Sequence, residues 1–300
     1  MIKRIIAVFT ALLLLMGLAG CTGTGNKEDT LTVICTVFPP YDFVRQIAGD
    51  AAEVTLLLKP GQESHTYEPT PRDILDIGEC DLFISVGGES EAWVADMLVS
   101  LDTPPRTLTL LDCVEPLHEE HDHGDEVDEH VWTSPNNAAA IVAALADVLC
   151  ELDAAKADTF RQKAAAYQAE LTTLDSDFAA AVAAGRHKTL VFGDRFPFRY
   201  FAEEYGLVCH SPYHGCDSHA EPSAATVAAL VDLAKQEAVP VVLYIEFSNQ
   251  QMANTLAEAT GAEKRLFHSC HNVTKAEMES GATYLSLMRD NLAVLKEALQ

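Results

Sequence analysis

The sequence predicts an α/β protein of two similar lobes with parallel sheets, joined by one long rigid helix. Three observations predict it. From residue 31 onward, short apolar runs alternate with amphipathic segments, the pattern of parallel βαβ units. Midway, residues 155–184 place Phe160, Tyr167, Leu171, Leu174, Phe178 and Val182 at helical spacing, with Ala164 filling the gap, so one apolar stripe runs along a single helix. After residue 186 the strand–helix alternation starts again.

The elements follow in order. Residues 31–37 read as a strand and 41–47 as a helix behind Pro39-Pro40; 54–58 is a strand ending in the Lys59-Pro60-Gly61 turn. A helix begins at Pro71, because the fixed φ of proline suits a first turn. Residues 81–86 read as a buried strand, 92–101 as a helix and 106–114 as a strand. Residues 115–130 break the pattern, and a helix resumes over 135–152 with Ser134 as N-cap and Pro135 at N1. The linking segment is 153–185; its helix, 155–184, spans about 45 Å at ~1.5 Å per residue, and Gly185 is placed at C′. The second series gives strands at 189–192, 241–246 and 264–268. Its helices are expected at 198–205, 221–238, 250–260 and 282–299. The expected organisation is an N-terminal lobe over 31–152, the linking helix over 153–185 and a C-terminal lobe over 186–300.

Residues 1–20 stand apart from the fold. Lys3 and Arg4 precede an apolar run, and Leu18-Ala19-Gly20-Cys21 resembles the bacterial lipoprotein cleavage box. That resemblance implies cleavage before Cys21, acylation of Cys21, a tether over 21–30 and an extracytoplasmic, membrane-anchored location. The apolar run falls short of a full membrane span. The 300 residues carry 20 Lys+Arg against 45 Asp+Glu, a net charge of −25. This argues against docking nucleic acid or an anionic membrane through a basic face, and it suits attraction of cations. A solvated acidic surface would need no function at all. With Cys21 lipidated, seven of the eight cysteines remain, so at least one thiol stays unpaired. There is no CxxC pair for a thiolate zinc knuckle; Cys216 and Cys270, in polar segments, could pair, although spacing does not give the connectivity.

The densest chemical signal is residues 118–130, where four His and seven acids fall in thirteen residues without apolar period. Imidazole suits zinc, copper and nickel, and flanking carboxylates raise local cation concentration. His118, His121 and His123 are therefore an auxiliary metal loop that collects the ion and passes it inward. Three further histidines lie on loops at scaffold edges, where binding residues concentrate: His65 between a strand and a helix, His130 just before a helix, and His271 after a strand of the second series. On composition alone each is as compatible with a surface or structural role. No HExxH, no Gly-x-Ser-x-Gly elbow and no Gly-rich phosphate loop appears.

Several of these segments resemble one family, the zinc- and manganese-binding solute receptors of ABC importers. Gly61–Pro71, with Gly-x-x-x-His-x-Tyr-Glu-Pro-Thr-Pro, resembles its first ligand motif. Asp128-Glu129-His130-Val131-Trp132 is similar to its Asp-Pro-His-Val-Trp motif, with Glu129 in place of proline. Tyr200–Leu207, Gly281–Tyr284 and Met288-x-x-Asn291-Leu292 also match, in order. A His-rich acidic loop just ahead of the second ligand distinguishes the zinc receptors.

The resemblance implies two α/β lobes bridged by a long helix, with the metal in the cleft between them. It implies His65 as first ligand and His130 as second. The family usually places a histidine before the Tyr200 helix, where this chain has Asp194 and Arg195; Asp194 is the candidate there, and Arg195 a group that neutralises it. For the last ligand, commonly acidic, the chain offers His271 first and His268 second. The cargo expected is Zn2+, because a histidine-dominated set suits zinc better than manganese. The expected partners are the importer permease and, through Cys21, the membrane; the chain is expected to act as a monomer, without nucleic acid and without enzymatic activity. The readings that compete are a manganese or iron receptor, a zinc-dependent hydrolase or lyase, and a surface adhesin.

Overall fold

The apolar, β-branched run Leu31–Cys35 forms β1, buried along nearly its whole length. The computed structural model describes residues 30–63, 66–118, 127–213 and 221–300. In the first sheet β1 pairs in parallel with β2 (Ala52–Leu56) on one side and β3 (Leu82–Ser85) on the other, and β3 carries β4 (Arg106–Thr109), giving the order β2-β1-β3-β4. The second sheet repeats this plan with β5 (Thr189–Phe192), β6 (Val208–His210), β7 (Val241–Tyr244) and β8 (Glu263–Leu266), in the order β6-β5-β7-β8. Central strands β1, β3, β5 and β7 are the apolar ones and the edge strands carry the polar residues, as parallel sheets covered on both faces require. In each sheet the strand order reverses direction once, between β1 and β3 and between β5 and β7. Crevices at such switch points, beyond the strand C-termini, are where open α/β sheets bind ligands.

The helices start where the sequence places caps. α1 is Phe38–Ala48, α2 Pro71–Glu79, α3 Trp93–Ser100 and α4 Pro135–Leu152. Thr70 and Asp73 form a capping box on α2, and the Ser134 hydroxyl accepts from Asn137 N–H at 3.0 Å on α4. α5 (Ala157–Ala184) is the long helix; it buries the predicted stripe and packs on α1 and α4 of the first half and on α10 (Tyr284–Ala298) of the second. Between them lie α6 (Arg199–Tyr205), α7 (Ala224–Gln236), α8 (Gln251–Thr260) and α9 (Lys275–Ser280). Residues 31–300 form one compact unit, and a continuous core runs from β1 through Phe160 and Phe178 to Phe267. The fully buried Asp42 fastens this junction: it accepts from Tyr284 N–H at 2.9 Å, Tyr167 O–H at 3.3 Å and Gln46 Nε2–H at 3.0 Å. Burial pushes its carboxyl above the ordinary value, and those donors pull against the rise.

Several expectations are corrected. Helix α1 begins at Phe38 and takes both prolines into its first turn, where no intrahelical N–H is needed. The fourth strand stops at Thr109 and continues as the 3-10 turn Leu110–Cys113. Gly185 is not left-handed: its φ of −65° and ψ of 149° are extended. Glycine serves a close approach there instead, since a Cβ would meet the Leu299 side chain at 2.9 Å. β6 and α9 are additions the sequence pattern did not contain. Cys270 is a free, fully buried thiol, so the Cys216–Cys270 pairing is not made; Cys35, Cys80, Cys113, Cys150 and Cys209 are free as well. Cys216, Cys21 and the predicted leader lie outside the described residues.

Candidate metal centre

His130 and His271 come together. Their ring centroids lie 4.6 Å apart at 82°, although the two residues belong to opposite halves of the chain. Both are almost fully buried. Trp132 stands edge-on to each ring, 5.8 Å from His130 and 5.1 Å from His271. Its indole Nε1–H donates to Ser269 O at 2.8 Å, and its own carbonyl accepts from Tyr284 O–H at 2.6 Å. The aromatic wall is thus hydrogen-bonded to the second half at both ends.

Each imidazole is held in one tautomer. The Asp128 carboxylate accepts from His130 Nδ1–H at 2.7 Å and from the His130 backbone N–H at 2.8 Å. Burial alone would raise the Asp128 pKa, but the His130 ring and its two hydrogen bonds outweigh that and lower it, so the carboxylate stays ionised. Asp128 is fixed in turn: its N–H donates to Leu117 O at 2.8 Å and its carbonyl accepts from Tyr200 O–H at 2.8 Å. On the other side, Ser269 O–H donates to Glu246 Oε1 at 2.5 Å. Its oxygen is therefore the acceptor for His271 Nδ1–H, 2.6 Å away. In both rings Nδ1 is committed to an acceptor, which leaves Nε2 as the nitrogen that a metal would take. A carboxylate behind each ring, direct for His130 and relayed through Ser269 for His271, raises ligand basicity.

The turn that presents His271 is tight. Cys270 adopts φ 65°, a region that side-chain-bearing residues rarely occupy and that clusters at functional sites. His268 lies on the far side of this turn: its Nδ1 accepts from Cys270 N–H at 2.9 Å, its backbone exchanges hydrogen bonds with the Asn291 side chain, and its Nε2 lies 3.8 Å from Glu277 Oε1. Asp194, on the loop after β5, has Oδ1 bound to Arg195 N–H at 2.9 Å and lines a separate cavity of about 340 Å3 with Glu63, Tyr213 and Glu221. Arg195 reaches across to Glu63 at 2.7 Å. Among the described residues, no third His, Cys, Asp or Glu is gathered with His130 and His271. His268 and Asp194 are thus not brought to the pair. His65 lies outside the described residues, as do His121 and His123. His118 is described; it is exposed and pairs with Val127 in an antiparallel bridge at the root of the acidic loop.

Beside His271, at the switch point of the first sheet, is a cavity of about 20 Å3 lined by Thr36, Val37, Glu91, Glu129 and Trp132. Glu129 accepts from Ser90 N–H at 2.9 Å, and its side chain crowds Gly88, whose φ of +85° and missing Cβ make room for it. Buried Glu91 accepts from Val86 N–H at 2.7 Å and Gly87 N–H at 3.0 Å. Burial, the largest influence, pushes its carboxyl up to about 7 from an ordinary 4.5. The folded state therefore favours protonated Glu91. Its contribution to stability is full below pH ~4.5 and is lost as pH rises through 7. Between pH 5 and 8 this one group should cost on the order of 2–3 kcal/mol. Urea unfolding of metal-free protein across that range should show Glu91→Gln with a flatter pH dependence and higher stability at pH 8 than the parent. Parallel curves would contradict it.

Glu246, Ser269, Glu91 and Glu129 escaped the sequence reading. Only Glu246 left a signal, as an acid ending a buried strand pattern at a strand C-terminus.

A family described as "Zinc-uptake complex component A periplasmic" matches residues 33–298. The zinc-binding lipoprotein AdcA of Streptococcus pneumoniae is 32% identical over 304 residues, covering 97% of this chain. The chain spans only 60% of that relative's length. The high-affinity zinc uptake system protein ZnuA of Bacillus subtilis is 32% identical over 308 residues, covering 97% of this chain and 96% of the relative. Among solved structures, the Zn(II)-bound ZnuA-like domain of Streptococcus pneumoniae AdcA superposes with a TM-score of 0.77 at 32% identity, covering 90% of this chain and 99% of that one.

Proposed function

This chain belongs to the family of periplasmic A components of zinc-uptake complexes, and from that premise we propose that it is an extracytoplasmic receptor that captures Zn2+ and delivers it to an ABC-type importer. The family is one of solute-binding proteins rather than enzymes. The observation that carries the reading is the buried His130–His271 pair, with both Nδ1 protons committed to carboxylate-backed acceptors. Two imidazoles held side by side with Nδ1 committed elsewhere suit a borderline divalent ion, and they suit zinc better than manganese. His65 completes the proposed set as the third imidazole, and the fourth position is left to water or a carboxylate. His118, His121 and His123 gather the ion at the surface. Cys21 carries the lipid that holds the receptor at the membrane beside the permease, where it works as a monomer.

Loading requires unprotonated imidazoles, so protons compete with zinc below the histidine range. Zinc affinity, read by competition with a chromophoric chelator, should be tight and equimolar at pH 7.5 and at least ~100-fold weaker at pH 5.0. Manganese in tenfold excess should not displace the zinc. A pH-independent Kd, or displacement by manganese, would overturn the assignment.

A further inference from the structure

We propose that Asn272 is a positioning residue for the metal centre, fixing His271 by clamping its loop to the loop that follows β2 in the opposite half. The Asn272 side chain is fully buried and fully used. Its Nδ2 donates one hydrogen to Lys59 O at 2.7 Å and the other to Gln62 O at 3.0 Å, and its Oδ1 accepts from Val273 N–H at 2.8 Å. Backbone bonds extend the clamp on both sides. Gly61 N–H donates to Val273 O at 2.8 Å, and Phe38 N–H donates to the carbonyl of His271 itself at 2.9 Å. The loop is tied once more to the second half through the Glu63–Arg195 ion pair at 2.7 Å.

The division of labour is physical. Ser269 orients the His271 ring, whereas Asn272 sets where its backbone stands relative to the first sheet. Two carbonyls facing one buried amide cannot be served by an apolar side chain. Removing Asn272 therefore takes the side-chain donor from Gln62 O, leaves Lys59 O with only the Gln62 N–H, and releases the turn that Cys270 holds in a left-handed conformation. Outer groups that orient a metal ligand are worth 10–100-fold in affinity, and that is the size expected here.

The inference rests on His271 being a zinc ligand, so the experiment is a double-mutant cycle. Zinc affinity is measured by chelator competition for the parent, Asn272→Ala, His271→Ala and the double variant. The electronic spectrum of Co2+ bound in place of zinc is recorded for each. Asn272→Ala should weaken zinc by ~10–100-fold in the parent but by less than about threefold once His271 is already alanine, because its effect passes through that ring. The Co2+ d–d bands of Asn272→Ala should lose intensity as the ligand leaves its tetrahedral place. Asn272→Ser keeps a short hydrogen-bonding group in the same space and should fall between parent and alanine. It also serves as the test if the alanine variant does not fold. Equal losses in both backgrounds, with an unchanged Co2+ spectrum, would mean that Asn272 supports the fold alone and would overturn the proposal. If His271→Ala by itself leaves zinc binding intact, the ligand assignment fails first, and the inference falls with it.

Discussion

Alanine at both His130 and His271 should lower zinc affinity by about 10⁴-fold, and either change alone by about 100-fold. Apparent zinc-binding free energies of ~10–16 kcal/mol, shared among four ligands, leave about 3 kcal/mol for each. The pair sits at 4.6 Å between ring centroids with both rings immobilised, so little of this can be recovered by a neighbouring group moving in. Among the described residues no group of three or more His, Cys, Asp or Glu side chains is placed to hold a metal ion. Chelator competition at pH 7.5 reads the effect directly. A double variant that still binds one zinc within tenfold of the parent would refute the site. Asp128, left without its imidazole, makes the His130 change the more destabilising of the two in the metal-free protein.

Trp132→Ala should destabilise the metal-free protein by about 3–5 kcal/mol, the range for emptying a buried tryptophan site. Trp132 is 1% exposed and is among the largest fully buried side chains. Its loss removes packing against both histidine rings and leaves Ser269 O without its donor. Trp132→Phe keeps most of the bulk and forfeits the hydrogen bond, and it should cost about 1–2 kcal/mol. Urea unfolding in the presence of chelator separates the two. If alanine costs less than 1 kcal/mol, the tryptophan is not the keystone between the halves. Zinc binding should weaken in the same order, alanine more than phenylalanine, because the ring that spaces the imidazoles is gone.

The fold was legible where periodicity or capping writes it locally. The four buried central strands are apolar runs, and α4 and α5 follow from Ser134-Pro135 and from the stripe ending at Val182. What periodicity cannot write was missed. β6 is three residues long and α9 six, too short for any pattern to repeat. Pro39-Pro40 misled because proline is tolerated in a first helical turn as readily as before one. At the site, His130 and His271 were legible as loop histidines in recognisable motifs. Their supports were not, because each is a contact between segments distant in sequence: Ser269 reaches Glu246 beyond the neighbouring strand of the second sheet, and Asn272 reaches Lys59 of the first half, pairings that exist only once the strands and halves are assembled. The family resemblance offered His268, second to His271, and Asp194 as further candidates. In the structure the His268 ring meets the Cys270 amide and Glu277, and Asp194 lines another cavity.

The bridge between His118 and Val127 works like the collar of a tool socket. One residue beyond Val127, Asp128 is already bolted to Leu117 and Tyr200, and only then does His130 follow. On the function proposed above, lineages or engineers should then be able to lengthen, shorten or rewrite that attachment, and so retune how the ion is gathered, without recutting the seat proposed to hold it.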